Sequence, residues 1–105
     1  MFSELVTKIN KRGKEQIREL IVTTAAIYNF IQKESDPQRK IPLTSLAGFV
    51  ASSTSPEVVL QVKSDYDYHL RVEHKHELTQ TLVTQAHLVG NTLAPLIRVS
   101  QYVLQ

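Results

Sequence analysis

The sequence predicts a mainly β domain of the α+β type: a small sandwich or barrel of seven strands, closed by one amphipathic helix near the C-terminus. Two observations predict this class. Short runs rich in β-branched and aromatic residues are separated by turn signals every ~8–12 residues, which is typical of a small sandwich or barrel. After Val72 the apolar spacing changes from two residues to the helical period. A last apolar run predicts a short extra C-terminal strand.

The strand assignment depends on residue type and on turns. The first two strands flank a basic turn, and Pro42 suits a short or edge strand because proline cannot donate to a central ladder. No Gly or Pro separates the second strand from the third, so one helix over residues 17–31 is the alternative. The Ile, Val, Thr, Tyr and Phe content favours strands. The seven predicted strands are residues 5–9, 17–24, 25–31, 41–43, 46–52, 58–62 and 66–72.

The seventh strand and the helix have the clearest patterns. In residues 66–72 the side chains alternate, with Tyr66, Tyr68, Leu70 and Val72 on one face and Asp67, His69 and Arg71 on the other. In residues 73–89 one apolar stripe follows helical spacing and consists of Leu78, Leu82, Val83, Ala86 and Val89. Gly90 and Asn91 end this helix. The tail, residues 93–104, predicts an added strand, with a short second helix as the alternative.

Composition limits the function classes. A chain of 105 residues with 42% hydrophobic and 21% charged residues predicts one globular domain, residues 1–105. The absence of cysteine excludes a disulfide scaffold, a cysteine zinc site and thiol catalysis, and favours the cytosol. We see no signal peptide and no apolar run of the ~18 residues that cross a bilayer. Any membrane contact is therefore expected to be peripheral.

The stretch from Lys8 to Arg18 is the strongest candidate site. It holds five basic residues and one acid, Glu15, and Gly13 marks a turn near its middle. The five basic residues are Lys8, Lys11, Arg12, Lys14 and Arg18. A hairpin with this charge suits an anion such as a lipid headgroup, a nucleic-acid backbone or an acidic protein face. The alternative is an ordinary solvated loop.

The other candidate sites are weaker. In the polar loop 33–40, Lys40 or Arg39 could add to the basic hairpin, although an ordinary surface loop is the simpler interpretation. The four histidines have no metal-ligand spacing, so we expect surface histidines and no metal or other cofactor. The serine-rich turn 52–55 has no His or Asp at a catalytic spacing, so no enzyme is expected.

Several segments, in this order and spacing, resemble one family. They are Lys11-Arg12-Gly13-Lys14, Arg18 to Thr23 leading to Ile27-Tyr28, Ile41-Pro42-Leu43, Leu46-Ala47-Gly48, Ala51 to Ser55, Val58 to Val62, and Tyr66-Asp67-Tyr68. Together they resemble the tail homology 1 domain of class I myosins, within the pleckstrin-homology superfold. The resemblance implies a pleckstrin-homology-like barrel and binding of anionic phospholipids, especially phosphoinositides. Motor function is not implied.

The resemblance also implies site residues. The usual pattern has a Lys at the end of the first strand and an Arg at the start of the second, and Lys8 and Arg18 match these positions. Lys11, Arg12 and Lys14 match the basic loop between them, and Lys40 is added from the neighbouring loop. The expected partners are anionic membrane lipids, either phosphoinositide or phosphatidylserine, at a cytoplasmic location peripheral to a membrane or the cytoskeleton.

A second hypothesis uses the same fold as a protein-interaction module that binds a peptide by a strand edge or the helix groove. The superfold hosts both uses, so the fold cannot decide between them. No nucleic acid is expected, because the aromatic residues lie mostly on predicted core faces and are not interleaved with the basic cluster. Oligomeric state does not follow from the sequence.

Overall fold

The computed structural model describes residues 2–91 and the backbone of residues 97–100. Within these ranges the chain forms eight strands, one short 3-10 turn (Leu43–Ser45) and one helix, α1 (Lys75–Leu88). The strands are β1 (Phe2–Ile9), β2 (Glu15–Val22), β3 (Ala26–Phe30), β4 (Arg39–Pro42), β5 (Leu46–Ser52), β6 (Glu57–Val62), β7 (Tyr68–Arg71) and β8 (Ile97–Ser100). No described helix is long and apolar enough to cross a bilayer.

The strands form one sheet in the order β4-β3-β2-β1-β7-β6-β5-β8. The first seven pair antiparallel, and β8 runs parallel to β5 at the sheet edge. Strand β1 is central: it pairs with β2 along its whole length and with β7 from Thr7 to Ile9. The expected mainly β fold with a C-terminal helix and a short extra strand is confirmed. This topology places the β1–β2 hairpin beside β7.

The core follows the two-residue alternation of the strands. On β1 and β2 the even-numbered side chains face inward, so Phe2, Val6, Leu20 and Val22 are buried. Helix α1 adds one apolar stripe to this core through Leu78, Leu82 and Ala86. Val89, which the sequence analysis included in the stripe, lies after the helix and is 37% exposed.

Side chains set the strand boundaries that lacked a Gly or Pro signal. Strand β2 ends at Val22, because the hydroxyl of Thr23 accepts hydrogen bonds from the backbone N–H groups of Ala25 and Ala26, each at 3.2 Å, and so forms the turn. The predicted strand 66–72 begins only at Tyr68, and Tyr66 lies in the preceding turn, 49% exposed. Of the predicted tail strand 93–104, residues 97–100 form β8, and the remainder lies outside the described residues.

Candidate anion-binding site

The loop of the β1–β2 hairpin is shaped by one asparagine. The side-chain oxygen of Asn10 accepts hydrogen bonds from the backbone N–H groups of Arg12 and Lys14, each at 2.9 Å. The N–H of Gly13 bonds to the Asn10 carbonyl at 2.9 Å, and Gly13 has φ +80°, a conformation that glycine adopts without strain. The loop therefore holds Lys11, Arg12 and Lys14 in solvent, and none of the three forms an ion pair with a described residue.

Three further basic side chains meet on the inner face at the same end of the sheet. Lys8 follows the buried Val6 by two residues on β1, and Arg18 on β2 is the cross-strand partner of Val6. Arg39 on β4 is the cross-strand partner of the buried Asn29 on β3. The three side chains lie around Tyr68 of β7. Lys8 Nζ is 5.7 Å and Arg39 Cζ 5.2 Å from the centre of the Tyr68 ring, and Arg39 also stacks on Tyr66 at 3.8 Å.

The electrostatics of this inner cluster favour an added anion. Desolvation lowers the pKa of Lys8, and the positive charges of Arg18 and Arg39 lower it further. Burial raises the pKa of the Tyr68 hydroxyl, against the opposing effect of the same two arginines. Asp65 is the one described acid paired with the cluster, 3.5 Å from Arg39 Nη2. A bound anion would reduce the repulsion among the three cations.

The structure separates Arg39 from Lys40, which the sequence analysis chose as the additional site residue. Lys40 is the cross-strand partner of Tyr28 on the outer face, with Nζ 5.8 Å from that ring. Arg39 faces inward, is only 8% exposed in its side chain, and donates to the backbone carbonyl of Tyr66 at 2.6 Å. The two-residue period contained this signal, because Arg39 precedes the buried Ile41 by two positions.

The one acid of the stretch from Lys8 to Arg18, Glu15, is neutralised on the other face. Glu15 accepts a 2.7 Å hydrogen bond from Arg71 Nη1, and Arg71 also lies 3.9 Å from the buried carboxylate of Glu57. Glu15 and Arg71 belong to the outer-face positions of their strands, whereas Lys8 and Arg18 belong to the inner face. The negative charge of Glu15 is therefore directed away from the inner cluster.

A groove of about 500 Å³ opens beside the cluster, between the end of β1 with its loop and the β6–β7 turn. Its size lies within the range of small-molecule sites. Asp67 on its wall accepts a hydrogen bond from the backbone N–H of Val62 at 3.1 Å. The lining residues are Lys8, Ile9, Asn10, Lys11, Tyr66, Asp67, Tyr68 and His69. Two cations and two tyrosine rings thus line a cleft of small-molecule size.

The histidines are distributed differently from the expectation. His69, predicted on the surface, has a side chain only 14% exposed, with Nε2 3.6 Å from Glu57 Oε1. His74 pairs with Glu4. In the described part of the chain, no three His, Asp or Glu side chains are grouped as metal ligands.

Comparison with known proteins identifies the family. Residues 1–101 match the model of the family described as unconventional myosin tail, actin- and lipid-binding. The chain belongs to the myosin tail homology 1 family. This tail homology 1 chain is 34% identical over 107 residues to the myosin IF heavy chain of Dictyostelium discoideum and 29% identical over 100 residues to the myosin heavy chain IB of Acanthamoeba castellanii. It spans only 10% and 9% of the lengths of these relatives.

Solved pleckstrin-homology domains share the fold of this tail homology 1 chain. The N-terminal PH domain of human ARAP2 matches with a TM-score of 0.68 and 17% identity, over 99% of this chain and 88% of that one. The C-terminal PH domain of pleckstrin matches with a TM-score of 0.65 and 14% identity, over 84% of this chain and 93% of that one. These matches confirm the expected pleckstrin-homology-like fold, and the family match confirms the resemblance to myosin tails.

Proposed function

We propose that this tail homology 1 domain is a non-catalytic module that binds anionic phospholipids, with phosphoinositides preferred. The binding site is at the end of the sheet that carries the β1–β2 loop. Lys8, Arg18 and Arg39 bind the headgroup on the inner face. Lys11, Arg12 and Lys14 contact the surrounding anionic lipids. Such binding places the domain at the cytoplasmic surface of a membrane or at the cytoskeleton, as a peripheral component.

The meeting of Lys8, Arg18 and Arg39 around Tyr68 is the observation that carries this proposal. An ordinary solvated loop would leave its cations spread apart in water. Here three strands bring three cations together with one paired acid among the described residues, and desolvation, followed by the charges of the two arginines, lowers the pKa of Lys8. Phosphate groups on an inositol ring are multivalent, so converging cations can select them over singly charged headgroups.

Vesicle co-sedimentation at ~0.15 M salt tests the proposal. Vesicles with phosphatidylinositol bisphosphate are compared with phosphatidylserine vesicles of equal total charge. We expect wild-type protein to prefer the bisphosphate vesicles, and the double variant Lys8→Gln/Arg18→Gln to lose that preference. Glutamine keeps part of each side-chain stem, so the variant removes charge with little loss of packing.

A matched control removes the same charge elsewhere on that end of the sheet. Lys33→Asn with Lys40→Ala removes two positive charges outside the inner cluster, and asparagine tolerates the left-handed backbone of Lys33 at φ 68°. We expect this control to keep the preference. Equal loss in both double variants would mean that a general basic surface binds the lipid, and absence of wild-type binding would contradict lipid binding altogether.

Filamentous actin is the second candidate partner, because the family description includes actin binding. The exposed loop cations Lys11, Arg12 and Lys14 would suit an acidic protein surface. Actin co-sedimentation of Lys8→Gln/Arg18→Gln and of the loop variant Lys11→Gln/Arg12→Gln/Lys14→Gln separates the two uses. Loss of actin binding on neutralising the loop, with the inner cluster intact, would support a protein contact distinct from the headgroup site.

A further inference from the structure

The floor of the inner cluster contains buried polar atoms without partners. Arg18 Nε, both side-chain polar atoms of Asn29, Arg39 Nη1 and the Tyr68 hydroxyl make no hydrogen bond with any described residue. Asn29 is fully buried and Tyr68 is 1% exposed. Burying an unpaired polar group is unfavourable, so such atoms are rare in native proteins and indicate a missing water, ion or ligand.

These atoms belong to one place in the fold. Asn29 and Arg39 are cross-strand partners on β3 and β4. The Arg39 guanidinium lies 5.2 Å from the centre of the Tyr68 ring, and the charges of both Arg18 and Arg39 act on the Tyr68 hydroxyl. The groove beside the β6–β7 turn reaches Lys8 and Tyr68 from the solvent side. The unpaired atoms are thus grouped behind the groove.

The chemistry of these unpaired atoms indicates which ligand would fit them. Four of these five atoms are hydrogen-bond donors, namely two guanidinium nitrogens, the amide nitrogen of Asn29 and the phenolic O–H of Tyr68, and the fifth, Asn29 Oδ1, is an acceptor. They lie among three cations, with Asp65 as the one acid of the described residues that pairs with them. A group with several acceptor oxygens and a negative charge satisfies the four donors, and a phosphomonoester has three such oxygens. The phosphate of phosphatidylserine is a diester within the lipid backbone and has no free end to insert.

We propose that Tyr68 and Asn29 form a floor subsite that donates hydrogen bonds to one phosphomonoester of a phosphoinositide headgroup, beside Arg18 and Arg39. This inference rests on the proposed function and explains a preference for phosphoinositide over phosphatidylserine. Because the donor atoms are covered in the unbound protein, the long side chains around them must move as the phosphate enters.

Tyr68→Phe is the decisive variant, because it removes one unpaired oxygen and leaves the ring. A group without a partner in the free protein contributes nothing to folding through that atom. The unfolding temperature of Tyr68→Phe should therefore stay equal or rise, while the affinity for soluble inositol trisphosphate falls about tenfold, as for one lost hydrogen bond to a charged group. Asn29→Leu, of similar size, should change both quantities in the same directions.

The measurements are thermal unfolding and calorimetric titration with inositol trisphosphate, with inorganic phosphate as a second probe. Tyr28→Phe on the outer face is the matched control and should bind like wild type. Tighter binding of inorganic phosphate than of inositol trisphosphate would contradict a headgroup subsite.

A lower unfolding temperature of Tyr68→Phe with unchanged affinity would show that the hydroxyl holds an internal water, and would overturn the subsite. Unchanged values of both quantities would overturn it as well. In both cases the loss of binding in Lys8→Gln/Arg18→Gln would still support the proposed function. If the wild type binds neither vesicles nor inositol trisphosphate, the proposed function fails and the subsite fails with it.

Discussion

An ion pair between Glu4 and His74 joins the first strand to the start of the helix. Glu4 lies on the inner side of β1, and its carboxylate bonds to the His74 ring and accepts the His74 backbone N–H at 3.4 Å. Helix α1 has no side chain of its own that caps its N-terminus, so Glu4 on β1 provides part of the cap by accepting the His74 N–H. The hydrogen bond to Glu4 raises the pKa of His74, and the negative charge of Glu4 raises it further. The charges of Glu77 and Glu73 raise it by smaller amounts.

This pair makes the stability of the domain depend on pH. A histidine pKa raised in the folded state contributes stability that is fully present below the unfolded value of 6.5 and is lost as pH rises through the folded value. We therefore expect the free energy of unfolding of wild type, relative to His74→Gln, to decrease from about pH 6.5 upward. Urea unfolding at a series of pH values measures this difference. A difference that is constant across the series would show that the pair does not couple protonation to folding.

At the scale of single residues, the alternation of strands could be predicted and strand ends could not. The inward position of Lys8 and Arg18 follows from their two-residue spacing to Val6 and Leu20. Tyr66 was placed on the core face because residues 66–72 alternate without interruption. In the structure the Asp67 side chain accepts the Val62 N–H and closes the turn, so β7 begins at Tyr68, two residues later than predicted. A side chain that replaces a ladder bond leaves no trace in a hydrophobicity pattern.

Between elements, an ion pair from β7 to the β1–β2 hairpin offsets the negative charge of Glu15. Arg71 on β7 binds Glu15 at the start of β2, with β1 between the two strands. Without Arg71 the acid would be free to offset the neighbouring lysines. The sequence order of the strands was predictable from turn signals, but this pairing was not. It depends on a sheet order in which β1 lies between β2 and β7, so that residues 15 and 71 meet over β1.

A double-mutant cycle tests this role of Arg71. We expect Arg71→Gln to weaken binding to anionic vesicles severalfold, because Glu15 then reduces the local positive potential. Glu15→Gln alone should strengthen binding, and the combined variant should recover most of the loss. Arg71 also lies beside buried Glu57, so Arg71→Gln can lower stability by leaving that carboxylate with less compensation.

Recovery of binding in the combined variant distinguishes the two effects, because Glu15→Gln cannot restore a partner to Glu57. Vesicle affinities of the four proteins, measured well below their unfolding temperatures, supply the cycle. Equal affinities for Arg71→Gln with and without Glu15→Gln would contradict the electrostatic role and leave Arg71 as a stabilising contact of β7.

Across the whole molecule, charge is unevenly distributed although the net charge is only +2. The exposed loop of the first hairpin and the inner cluster carry most of the basic groups of residues 1–40, whereas the helix and its N-terminal flank hold Glu73 and Glu77 against one basic residue, Lys75. A molecule with this asymmetry is oriented by a negatively charged surface before it makes close contacts. We therefore expect the loop and the inner cluster to have separable tasks, with attraction by the loop and selection by the cluster.

Neutralising the loop tests this division. The triple variant Lys11→Gln/Arg12→Gln/Lys14→Gln should weaken binding to phosphatidylserine and bisphosphate vesicles alike. The expected limit is about 1 kcal/mol per residue near an anionic leaflet, or about 100-fold in total. It should also flatten the salt dependence of binding between ~0.1 and ~0.5 M, because exposed charges are screened more than partly buried ones.

The Lys8→Gln/Arg18→Gln variant should instead reduce mainly the ratio of the affinities for the two vesicle types. Co-sedimentation across a salt series measures both quantities, and a loop variant that loses selectivity while keeping its salt slope would reverse the assignment of tasks.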